Sequence, residues 1–153
     1  MKKPNILFII VDSLRQDKCL GSKKNSFTPN LDKLIENGIF FEQAISPAPI
    51  TVPSVSSIFT GLYPYETTNL KKDVFTLKKN VPTFIKTLEK YGYSTYAILP
   101  EALSYTNIPN DFSNVEFFNS FGTLYDGIGE KIILKLQNLS NEKPWLMYIH
   151  LED

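Results

Sequence analysis

Residues Asn5–Asp12 read NILFIIVD, a short continuous apolar run that stops at a carboxylate. Isoleucine and valine without polar alternation predict a central parallel strand covered on both faces. Two lysines precede the run, as in a secretory leader. The apolar part is only Ile6 to Val11, Asp12 ends it, and no small-residue cleavage pattern follows. The strand reading is preferred, and a cytoplasmic location is expected.

Working outward, TPNLDKLIENG carries the punctuation of a helix, with Thr28 to cap, Pro29 at the first turn and Gly38 to stop. Leu31, Leu34 and Ile35 form its apolar stripe. IFFEQAI, residues 39–45, is short enough for a second strand. In TVPSVSSIFTG, Pro53 is compatible only with a first helical turn, which puts Thr51 at or just before the cap. Val55, Ile58, Phe59 and Leu62 are then expected to face the core. VPTFIKTLEKYG repeats the pattern, with Pro82 starting a helix and Gly92 ending it. STYAILP predicts another strand, and residues 101–120 read as mostly irregular. Apolar positions from Leu124 to Leu139 predict a helix, and PWLMYIHL a last strand. Strands alternating with helices imply an α/β fold with a largely parallel sheet and helices on both faces. In such sheets ligands bind beyond the carboxyl ends of the strands, where Asp12 and Asp153 are expected.

The chain has 153 residues, 42% hydrophobic and 21% charged, which suits one ordinary globular domain. Sixteen basic residues balance sixteen acidic ones, so composition marks no nucleic-acid or acidic-membrane partner. No stretch approaches the roughly 20 apolar residues of a bilayer span. Cys19 is the single cysteine and His150 the single histidine, which excludes an internal disulfide and a Cys/His zinc quartet. The pairs Lys23–Lys24, Lys71–Lys72 and Lys78–Lys79 read as solvated surface.

Two residues carry competing readings. Asp12 is either a carboxylate for a hard divalent cation or a cap for the loop after the strand. Thr51 is either a helix cap or a nucleophile held where free N–H groups and the helix dipole favour an anion. The nucleophile reading needs a metal to lower the hydroxyl pKa. His150 lies in an apolar strand, where a packed, hydrogen-bonded imidazole is the common outcome.

PNILFIIVDSLR, TPNLDKLIENGIFFEQAIS and TVPSVSSIFTGLYP, in that order and separation, resemble the N-terminal part of the sulfatase family within the alkaline phosphatase superfamily. LEKYGYSTYAI and WLMYIHLED resemble later family segments. The resemblance implies that Asp12 binds a divalent metal (calcium, magnesium, manganese or zinc), assisted by Ser13, which stands where many members have a second aspartate. It implies that Thr51 is the catalytic nucleophile and a metal ligand, and that Ser54 and His150 contact substrate. The expected substrate is a small-molecule or glycan sulfate or phosphate ester.

Two positions depart from the family motif of Cys or Ser, any residue, Pro, Ser, Arg. Thr51 replaces the residue that becomes formylglycine, so no formylglycine is expected, and Val55 replaces the arginine. Threonine here resembles the phosphoethanolamine and glycerol-phosphate transferases, which gives a phosphoryl transferase as the alternative activity. The family's later metal ligands have no counterpart in 153 residues. Residues 1–153 are therefore expected to be the N-terminal part of a longer catalytic domain. A truncated, non-catalytic α/β domain binding an anion or a partner is the other alternative.

Overall fold

The computed structural model describes residues 3–22, 24–71, 73–120, 122, 124–139 and 142–152. The chain divides into two compact units, one of Ser13–Ser46 and one of Met1–Asp12 with Pro47–Asp153. In chain order the elements are β1 (Ile6–Asp12), α1 (Gln16–Cys19), α2 (Pro29–Asn37), α3 (Thr51–Thr60) and α4 (Pro64–Thr67). They continue with β2 (Thr68–Lys71), β3 (Val74–Leu77), α5 (Phe84–Lys90), β4 (Ser94–Pro100), β5 (Asn114–Phe118), α6 (Ile128–Gln137) and β6 (Trp145–Glu152).

The larger unit is built on a parallel sheet in the order β1-β6-β4-β5. Side chains alternate along each strand, so each strand divides its residues between two faces. Leu146 and Tyr148 of β6 with Ala97 and Leu99 of β4 join Val52, Val55 and Phe59 of α3 and Ile85 of α5 in one core. Met147, Ile149 and Ile98 join Ile128 of α6 and Leu139 in a second core on the opposite face. The sheet thus carries helices on both faces, as the alternation of strand and helix patterns predicts.

β1 departs from its expected central place. Among the described residues it lies at one end of the sheet, paired with β6 alone. Ile6, Phe8 and Ile10 pack into the first core, whereas Leu7 and Ile9 on the opposite face are 45% and 49% exposed. The unbroken apolar run has one covered face here.

Several local readings are also corrected. Buried on α3 are Val52, Pro53, Val55, Ser56, Ser57 and Phe59, so Val55 and Phe59 of the predicted stripe face the core while Ile58 and Leu62 are exposed. Helix α5 begins at Phe84, after Pro82, because Thr83 is its cap and accepts from the Lys86 N–H at 3.3 Å. β5 lies inside the stretch read as irregular. It is short, and it pairs only with β4. Helix α6 starts at Ile128, behind a tight turn at Leu124–Asp126 and Gly127 at φ 86°. The antiparallel hairpin of β2 and β3 has no sequence expectation behind it.

In the smaller unit, α2 begins at Pro29 after Thr28, as expected, and Lys24 pairs with its Asp32 at 2.5 Å. Its stripe is not buried: Leu34 is 69% exposed. The strand expected over residues 39–45 is absent, since no described strand pairs with that segment. An extended segment needs a ladder partner for its N–H and C=O groups.

Glu89 ties α5 to the sheet. It accepts from Thr95 Oγ1 at 2.6 Å, Ser113 Oγ at 2.5 Å and Lys86 Nζ at 3.1 Å. Partial burial pushes its carboxyl up, but these three donors outweigh that effect and hold it below its ordinary value. A folded pKa below the unfolded value of ~4.3 adds stability that is complete above that value. It is lost as pH falls through the folded value. Glu89→Gln is therefore expected to cost about 1–3 kcal/mol at neutral pH in urea unfolding. The gap should narrow as pH drops below about 4. A gap of the same size at pH ~3 would contradict this assignment.

Candidate active site

Helix α3 is held to the sheet by apolar contacts at positions 52, 55 and 59. Phe59 is 1% exposed and meets the Tyr148 ring edge-on, with centroids 5.1 Å apart. Phe8 and Phe112 stack on the same tyrosine, each at 5.7 Å. Burial of side chains such as Val55 and Phe59 contributes on the order of 1.5–3 kcal/mol each. This docking sets the first residue of α3 above the carboxyl end of β1.

Ile50, in extended conformation, occupies the cap position of α3, and no side chain caps that end. Thr51 is therefore the first helical residue, one position later than a cap. Its hydroxyl turns away from its own helix and donates to Asp12 Oδ2 at 2.6 Å. The cap reading of Thr51 is thereby excluded. Val55, at the family's arginine position, is 2% exposed in the core and faces the sheet.

Asp12 Oδ2 also receives His150 Nε2 at 3.4 Å. The ring's other nitrogen, Nδ1, lies 2.6 Å from the Tyr148 hydroxyl. Burial pushes the imidazole below its ordinary pKa against the pull of Asp12, so the ring is neutral near pH 7. The Asp12 carboxylate only accepts, which assigns the proton to Nε2 and leaves Nδ1 to accept from Tyr148. Burial, and then the Asp12 charge, push the Tyr148 hydroxyl upward and keep it protonated. His150 has no exposed surface, and its two ring nitrogens face Tyr148 and Asp12.

Glu152 is the carboxylate that the sequence reading missed. It is the register partner of Asp12, so both side chains leave the same face at the sheet edge. Partial burial and then the Asp12 charge push its carboxyl up. Tyr148, His150 and Glu152 follow at i, i+2 and i+4 in β6, a signal that alternation could have supplied. Asp153, read as the edge residue, lies outside the described residues. Ser13 opens the smaller unit, where it is exposed with φ 60°. Ser54 is half-buried on α3, its N–H bonded to the Ile50 carbonyl at 3.1 Å.

A cavity of ≈ 260 Å³ opens beside Thr51 and Glu152, walled by Asp73, Phe75, Leu103 and Tyr105. Ser54 does not line it. A larger cavity of ≈ 410 Å³ lies at the start of α6, around Phe118, Ile128 and Lys131, and includes none of these groups. The oxygen donors of Asp12, Thr51 and Glu152 suit a hard divalent cation, which would relieve the repulsion between the two carboxylates. Among the described residues, no three His, Cys, Asp or Glu side chains converge as a metal-binding group. No described helix is long and apolar enough to cross a membrane.

The shared oxygen makes Asp12 and Thr51 energetically coupled. A double-mutant cycle of Asp12→Ala and Thr51→Val in urea unfolding is expected to give a coupling of about 0.5–3 kcal/mol. Additivity within about 0.3 kcal/mol would mean that the hydrogen bond carries no free energy in solution.

The fold agrees with comparisons to known proteins. An N-acetylglucosamine-6-O-sulfatase of Bacteroides thetaiotaomicron is 26% identical over 170 aligned positions, covering 97% of this chain and 30% of the relative. An arylsulfatase of Clostridium perfringens is 47% identical over 62 positions, 39% of this chain and 13% of that protein. The chain thus spans less than a third of the length of either relative. Among solved structures, one in complex with its substrate D-glucosamine-2-N,6-O-disulfate has TM-score 0.78 at 25% identity. That match covers 98% of this chain and 34% of the other. The C-terminal periplasmic domain of a phosphoethanolamine transferase from Campylobacter jejuni shares the fold, with TM-score 0.65 at 16% identity over 98% and 46% of the two chains. The pattern of the family described as Sulfatase matches residues 4–153, and the chain belongs to that family.

Proposed function

We propose that this chain carries the nucleophile and a metal-holding carboxylate of a sulfatase-like hydrolase of sulfate or phosphate esters. The observation that supports it most is the 2.6 Å hydrogen bond from Thr51, at the start of α3, to Asp12, at the end of β1. A nucleophile needs a partner that orients its oxygen, and Asp12 supplies one. In this reading the chain is the N-terminal part of a longer catalytic domain, and further metal ligands come from outside residues 1–153.

Asp12 and the Thr51 oxygen would hold the cation, with Glu152 beside them. A divalent cation at such donors lowers the pKa of a bound hydroxyl and offsets negative charge on an ester. Asp12 Oδ2 fixes the direction of the Thr51 oxygen and is placed to hold its proton. Thr51 Oγ1 forms a bond to sulfur or phosphorus as the bond from that atom to the ester oxygen breaks, and the threonine proton held at Asp12 passes to the leaving oxygen to give the alcohol. The N–H groups of Thr51 and Val52, which open α3 ahead of Pro53, have no partner within the helix and favour the anion that develops there. Water then cleaves the threonine ester and releases the inorganic anion. Phe75, Leu103 and Tyr105 line the space for the alcohol portion. The sulfated amino sugar bound in the matched structure supports a glycan ester as one substrate class.

Thr51 also favours a second reading, phosphoryl transfer, because threonine is not the residue from which formylglycine is made. The protein containing this chain is expected to hydrolyse an aryl sulfate or an aryl phosphate. Turnover should fall by more than about 10³-fold in Thr51→Ala. It should vanish on chelation and return with added divalent cation. Hydrolysis of the aryl phosphate alone would select phosphoryl chemistry. Unchanged turnover in Thr51→Ala would remove Thr51 as the nucleophile.

A further inference from the structure

The hydrogen bonds behind Asp12 have no explanation in packing alone. Tyr148 and His150 are both 0% exposed, on the face of β6 that α3 covers. The tyrosine ring is enclosed by Phe8, Phe59 and Phe112, so its hydroxyl sits deep in an apolar cluster. A buried hydroxyl and a buried imidazole are costly there unless each is hydrogen-bonded. Here they are bonded to each other at 2.6 Å, and the imidazole continues to Asp12 Oδ2 at 3.4 Å. The same oxygen receives Thr51. Polar groups therefore run in series from the aromatic core to the sheet edge.

We propose that Tyr148 and His150 are positioning residues for the Asp12–Thr51 pair. The Tyr148 hydroxyl donates to Nδ1 and thereby fixes the ring in the form protonated on Nε2. His150 Nε2–H then holds Asp12 in the rotamer whose Oδ2 also accepts from Thr51. Neither residue touches substrate; both act through Asp12. The carboxylate is thus oriented before any ligand arrives, which removes an ordering cost from binding. This inference deepens the proposed function and rests on Asp12 and Thr51 forming its reactive centre.

In the protein containing this chain, the nitrogen NMR signals of the His150 imidazole are identified by their loss in His150→Ala. In the wild-type protein these should report protonation on Nε2 and a bare Nδ1. Tyr148→Phe keeps the ring in its aromatic cluster and removes only the hydroxyl. It should retain the wild-type circular dichroism spectrum while the form protonated on Nδ1 gains population. Its Kd for Mn2+, measured by calorimetry, should rise about tenfold or more. His150→Gln, which keeps an N–H donor, should recover part of the affinity that His150→Ala loses. A wild-type ring protonated on Nδ1, or an unchanged tautomer in Tyr148→Phe, would overturn the proposal. If the tautomer and its dependence on Tyr148 are as expected but wild type has no affinity for Mn2+, the positioning pair stands. The metal reading of Asp12 then fails on its own.

Discussion

One carboxylate oxygen, Asp12 Oδ2, accepts from Thr51 on α3 and from His150 on β6. Three elements distant in sequence meet at that atom, and each reaches it by a different route. β1 delivers the carboxylate because its apolar run ends where the sheet ends. β6 delivers the imidazole because it pairs with β1 in register, Ile10 opposite His150 and Asp12 opposite Glu152. Helix α3 delivers the hydroxyl because Val52, Val55 and Phe59 seat it on the same face.

The aromatic cluster under α3 serves both packing and chemistry. Phe59 and Tyr148 anchor the helix, and the far end of that tyrosine carries the hydroxyl that meets His150. A change at Phe59 would therefore act on the site without touching it. Core density transmits small displacements, because close-packed side chains have few voids in which to absorb them. The proximity of Asp12 and Glu152 adds an opposing constraint, since two neighbouring carboxylates repel. An electropositive ligand or a proton relieves that repulsion, which keeps the edge of the sheet receptive to a cation.

Much of the fold was legible in residues that allow few conformations or environments. NILFIIVD is the strand its apolar run predicted, Pro29 set the start of α2, and Gly61, at φ 72°, ends α3 one residue before Leu62, which was expected on its buried face. The alternation of strand patterns with helix patterns carried the sheet with helices on both faces. What escaped depends on tertiary partners. β5 is a strand because β4 accepts it, and residues 39–45 are not one because no described strand pairs with them. At the site, Asp12 and Thr51 could be named from motif order, but the fate of the Thr51 hydroxyl depended on where α3 docks. Glu152 was passed over because its place opposite Asp12 follows from the β1–β6 register, which the sequence does not print. The supporting role of His150 required its zero exposure and its two nitrogen partners.

The account rests on Thr51 and Asp12 forming one oxygen-donor centre. Its most direct test is a crystal structure of the protein soaked in Mn2+, with the metal located by anomalous scattering. The account predicts a peak within roughly 2.6 Å of both an Asp12 carboxylate oxygen and Thr51 Oγ1. A peak elsewhere, with the Thr51 hydroxyl turned back onto its own helix, would contradict it.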